Sequence, residues 1–138
     1  MTKALLRRPR LRRPRGHNLL YVPSGIAIES SGFVLAERAR WARSWRERAR
    51  GLKATGPLEA GDALVIEPAK QIHTFGLAYS IDVVFCSRDW RVVHIVRSLK
   101  PRRVTRLVVG ARYAIELPAA SVPTELVTGD RLTISRGE

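Results

Sequence analysis

His73, Tyr79 and Asp82 lie close together in "QIHTFGLAYSIDVVF" (71–85), and a second carboxylate, Glu116, sits in "YAIELPA". An imidazole with two carboxylates suffices for general acid–base chemistry, and a phenol adds a further proton donor. His73, His94, Asp82 and Glu116 also have the ligand types a divalent metal accepts. No HxH or HExxH spacing supports such a site, and GxGxxG, GxxxxGKS/T and GxSxG are absent. No catalytic residue, metal or cofactor is therefore assigned. Cys86, the only cysteine, excludes an intrachain disulfide and a cysteine-based zinc site. Its setting in "VVFC" reads as a small core residue rather than a nucleophile.

Each polar residue also has a structural reading. In an extended "KQIHTFG", His73 shares a face with Gln71, Phe75 and Leu77, while Thr74 lies opposite beside Ile72. Asp82 within "SIDVVF" must be solvated, paired or hydrogen-bonded, since stripping a buried charge of its partner costs about 3–5 kcal/mol. Glu116 alternates with Ile115 and Leu117, which predicts an outward, solvated side chain. His73, Thr74, Tyr79, Asp82 and Glu116 are the candidate ligand-binding set, and whether His73, Asp82 and Glu116 line one concavity is the observation that decides it.

The elements that must position them are mostly strands. "NLLYV", "GIAIE", "ALVIE", "KQIHTFG", "IDVVFC", "WRVVHIV", "RYAIEL" and "RLTIS" are short runs rich in Val, Ile and aromatics, with turn residues between most of them. "IDVVFC-SRD-WRVVHIV" predicts an antiparallel hairpin, and its continuous apolar runs predict strands covered on both sides. "GFVLAERARWARSWRERARGL" has the composition of one long helix. We favour division at Ser44: a strand "FVLAERARW", then a short helix "WRERAR" capped by Ser44 and closed by Gly51. The expected architecture is mainly β with one short helix (α+β), a small antiparallel β-barrel or sandwich-like domain over 17–138.

The chain has 138 residues, is 45% hydrophobic and carries a formal charge of +13. That suits one compact domain. Lys3, Arg7, Arg8, Arg10, Arg12, Arg13 and Arg15 concentrate seven charges with no acid before Glu29, and the rest carries +6. Pro9 and Pro14 break any helix there, so residues 1–16 read as a disordered basic arm. Flexible cations can neutralise phosphates, which makes Arg7, Arg8, Arg10, Arg12, Arg13, Arg15, Arg46 and Arg50 the candidate contacts for nucleic acid or another anionic surface. Trp41 and Trp45 are candidate stacking surfaces beside them. No stretch approaches the length of a transmembrane helix, and no targeting segment is recognisable. A soluble, cytoplasmic monomer is the expectation.

"RERARGL", "QIHTFGLAYSIDVVF", "RVVHIV", "LKP", "AIELPA" and "GDRLTI" follow one another in an order and spacing that resembles the prokaryotic family called domain of unknown function 192. The resemblance runs from about Phe33 to Ile134 and is most specific in the central block. It implies a mostly β domain with a short helix after the first family strand, and it implies no activity. This chain departs from the usual pattern at Lys53, at Leu77 in place of Met, at Trp90 in place of Gly, and at Ala120 in place of Gly. A non-enzymatic binding or accessory domain for a small ligand or peptide is the functional expectation, with the nucleic-acid or anionic-surface binder as the alternative.

Overall fold

Runs of β-branched and aliphatic residues form seven strands: β1 (Ser24–Ile28), β2 (Val34–Ala42), β3 (Asp62–Ile66), β4 (Ile81–Cys86), β5 (Val92–Leu99), β6 (Tyr113–Pro118) and β7 (Leu132–Arg136). The structure is a computed structural model that describes residues 24–44, 48, 51 and 56–136. The strands make one sheet in the order β5-β4-β6-β3-β2-β1-β7. All neighbours are antiparallel except β2 and β3, which run parallel with Arg38 opposite Asp62. The sheet is therefore mixed, a correction to the antiparallel expectation. A parallel pair needs a long crossover, and residues 43–61 supply it. The Arg38 Nε donates to Asp62 Oδ1 at 2.8 Å, which fastens that pair.

The sheet curls into a half-barrel rather than a two-sheet sandwich. Among the described residues its outer strands meet through the Arg91–Arg131 bridge at one end. Around it, Val92 N donates to Asp130 O at 2.8 Å and Leu132 N to Trp90 O at 2.9 Å. The β4–β5 pair is the antiparallel hairpin expected from the sequence.

Two apolar layers explain the continuous hydrophobic runs. Ala63, Val65, Val84, Cys86, Ile115 and Leu117 point inward and join Ile26, Leu35 and Ala39. Leu64, Ile66, Val83, Phe85 and Ala114 point to the outer face, under Ala69, Ile72, Val108 and Ala111. A strand covered on both sides has no polar face to alternate with.

"KQIHTFG" is not a strand of the sheet, a second correction. It forms only the isolated His73–Val104 bridge. Its backbone bonds run instead to the 100–108 segment: Thr74 N to Arg103 O at 2.9 Å, Thr105 N to Ile72 O at 2.8 Å and Val108 N to Lys70 O at 2.7 Å. The two segments form a ribbon across the outer layer.

In the stretch where the sequence predicts a short helix, Arg48 N donates to Ser44 O at 2.9 Å, and Gly51 has φ 45. The remainder of that helix, the "NLLYV" run and the basic arm lie outside the described residues.

Candidate functional site

The outer face of β6 carries a buried acid. Glu116 stands between Leu64 of β3 and Val83 of β4, both apolar. It is buried rather than solvated, which corrects the sequence expectation. The reason is its central strand, whose two faces are both covered. Its Oε2 has no hydrogen-bond partner among the described residues, and neither has the buried hydroxyl of Tyr79. Burial pushes the Glu116 carboxyl up to about 8. Burial, and then the nearby Glu116 charge, push the Tyr79 phenol upward. At neutral pH a protonated carboxyl and an uncharged phenol thus belong to the same outer layer.

Asp82 lies on the other face. It shares the inward side of β4 with Val84 and Cys86 and stands opposite Leu117. Oδ1 accepts from Ser98 N at 2.8 Å and Oδ2 from Val122 N at 3.0 Å. Ser98 sits at φ 52 where the β4–β5 register slips, and a bulge of this kind frees a backbone N–H from the ladder. Asp82 satisfies that N–H and ties the β6–β7 connection to the sheet.

Thr74 is fully buried. Its hydroxyl donates to Lys100 O at 2.6 Å and accepts from Arg103 N at 2.9 Å, so it closes the ribbon. His73 is on the solvent side, its ring 5.8 Å from that of Phe75. His73, Asp82 and Glu116 therefore occupy three separate places and do not line one concavity, whereas Tyr79 and Glu116 come together. The pairing spans distant segments, and the sequence gives no local sign of it.

Of the candidate cations, Arg7, Arg8, Arg10, Arg12, Arg13, Arg15, Arg46 and Arg50 lie outside the described residues, as does Trp45. Trp41 is half-buried against the Trp90 edge, with the Arg43 guanidinium 5.6 Å from its ring centroid. Cys86 is buried and its thiol is pushed up to about 12 by burial. Among the described residues no three His, Cys, Asp or Glu side chains group as a metal site.

The family profile described as "Uncharacterized ACR", domain of unknown function 192, matches residues 26–134. The chain belongs to this family. No curated protein matches it. Among solved structures it is similar to a protein of unknown function from Novosphingobium aromaticivorans, with 18% identity and a TM-score of 0.69, over 89% of this chain and 94% of that one. It is also similar to a protein from Sinorhizobium meliloti described as a "putative transcription regulator", with 18% identity and a TM-score of 0.66, over 84% and 97%. These likenesses establish the fold.

Domain of unknown function 192 usually has Gly where this chain has Trp90 and Ala120, and both residues adopt φ 65. Left-handed backbone costs a bulky residue about 1 kcal/mol or more. At Trp90 the strain is offset by stacking: its ring lies 3.8 Å from that of Tyr113, nearly parallel. Trp90→Gly should relieve the strain yet lose the larger packing term, lowering stability by about 2 kcal/mol in urea unfolding. An unchanged or raised midpoint would show that strain dominates. Among the described residues no helix is long and apolar enough to cross a membrane.

Proposed function

We propose that this domain is a non-enzymatic binding module that takes a small polar ligand or a single peptide group between Tyr79 and Glu116. One observation carries the reading: two buried oxygen atoms, near each other, lack partners among the described residues. Native proteins satisfy the great majority of buried polar atoms, so a bare pair invites an occupant. A protonated carboxyl and a phenol each donate and accept, which matches an amide or hydroxyl better than an anion. Tyr79 follows Gly76 at φ 85 on the segment leading into β4, where a small displacement would open the outer layer. His73 lies on the solvent side of the adjoining ribbon and Thr74 holds that ribbon's backbone, while Asp82 fastens the opposite face of the sheet.

A thermal-shift screen of small amides, alcohols and dipeptides tests this. A saturable rise in melting temperature is expected for the full chain, since a ligand at a hundred times its Kd adds about 2.7 kcal/mol. Tyr79→Phe keeps the ring and removes the hydroxyl, and it should weaken the response about tenfold. An equal response in Tyr79→Phe and Glu116→Gln would remove the pair from the binding site.

A further inference from the structure

The outward side of the 70–76/100–109 ribbon combines features that rarely coexist by accident. Ile72, Thr74, Thr105 and Val108 are buried beneath it. Facing solvent are Phe75 at 50% exposure, Val104 at 53%, Leu107 at 59% and Val109 at 83%. The backbone bonding links the two segments that carry them: Val104 bridges His73, whose ring is 5.8 Å from that of Phe75, and Val108, between Leu107 and Val109, donates its N–H to Lys70 O. Lys70, Lys100, Arg102, Arg103 and Arg106 are exposed on the same two segments. Residues 68–80 and 90–115 contain no Asp or Glu. Among the described residues no salt bridge engages any of these five cations.

Charge complementarity demands an anionic partner, and the apolar side chains narrow it. Nucleic acid bases stack on planar rings. Here the strip offers Phe75 and His73, which already contact each other, and three aliphatic side chains that give a base little. Aliphatic side chains among cations suit the boundary between lipid headgroups and acyl chains. We propose that this ribbon docks on an anionic lipid bilayer, with the four apolar side chains entering the headgroup region and the five cations meeting the lipid phosphates and carboxylates. The surface is separate from the Tyr79–Glu116 pair beneath the ribbon.

Vesicle flotation of the full chain is the test, with phosphatidylcholine alone and phosphatidylcholine mixed with phosphatidylserine. Binding is expected only to the mixed vesicles. Each lost cation should weaken it about fivefold, so Arg102→Gln with Arg103→Gln loses roughly 25-fold. Leu107→Ser with Val109→Ser, which changes no charge, should lose about tenfold. Both pairs are exposed, and matching melting curves confirm that the variants fold. Glu116→Gln should bind vesicles like the original chain, which separates this surface from the ligand reading. Absence of binding to mixed vesicles overturns the proposal. So does binding indifferent to both double variants, which would assign it to charge elsewhere. Loss confined to a mixed-sequence single-stranded oligonucleotide would make the ribbon a nucleic-acid surface and equally overturn it.

Discussion

Asp82→Ala is expected to lower the unfolding free energy by about 3–5 kcal/mol, a large share of the 5–15 kcal/mol typical of a domain. The carboxylate is fully buried, and each of its oxygens accepts one backbone N–H. Removing it leaves the Ser98 and Val122 donors facing a dry cavity, and an unsatisfied buried donor costs about 1–3 kcal/mol. Asp82→Asn keeps the shape but sets an amide NH2 against one N–H, so about 2–3 kcal/mol should go. Melting temperatures should fall by roughly 10 °C for Ala and less for Asn. Hydrogen exchange should locate the loss first in 119–131, which is held by Asp82 and by Arg97 donating to Pro123 O at 2.9 Å. Equal stability of all three proteins would mean that the bulge and the loop hold themselves.

The strands were legible because β-branched runs between turn residues are a local signal. So was the division of 33–51 as far as β2, where alternation of Leu35, Ala39 and Trp41 outweighed a helical composition. "KQIHTFG" misleads for an instructive reason. Its alternation is real, with Ile72 and Thr74 buried and Gln71, His73 and Phe75 exposed. However, alternation marks an extended chain over a surface, and membership of a sheet also needs a neighbouring ladder. Its neighbour is 100–108, which among the described residues contributes the single Val104 bridge and no strand. The curl and the parallel β2–β3 pair depend on the 43–61 crossover, which no local pattern encodes.

The carboxylates show the same division. That Asp82 needed partners follows from its apolar flanks; which backbone groups supply them depends on a register slip two strands' length away in sequence. Glu116 was misplaced because alternation with Ile115 and Leu117 cannot tell a solvated face from one covered by a second layer. Only the packing of Ala69, Ile72 and Val108 over the sheet decides that.

That covering layer makes Glu116 a proton sensor of stability. Its folded value of about 8 lies above the ordinary carboxyl value of 4.5 that the unfolded chain has. The folded protein therefore holds a proton that the unfolded chain releases across this window. Below pH 4.5 both states are protonated and the group contributes its full share. Stability then falls as pH rises, by about 1 kcal/mol per unit, and levels off above the folded value, a total on the order of 4 kcal/mol. The facing side chains Leu64 and Val83 carry no charge to oppose this, and Tyr79 ionises later. His94, stacked on Phe85 of the same outer face, has its value lowered by burial and then by Arg106. Its stabilising share is lost as pH falls, the opposite sign, so the raw profile mixes the two. Subtracting the profile of Glu116→Gln isolates the acid. Urea unfolding from pH 5 to 9 should show the variant flatter than the original and more stable at the alkaline end. Parallel profiles would require a carboxylate already ionised at pH 5, and with it a counter-charge that the apolar cross-strand neighbours do not provide.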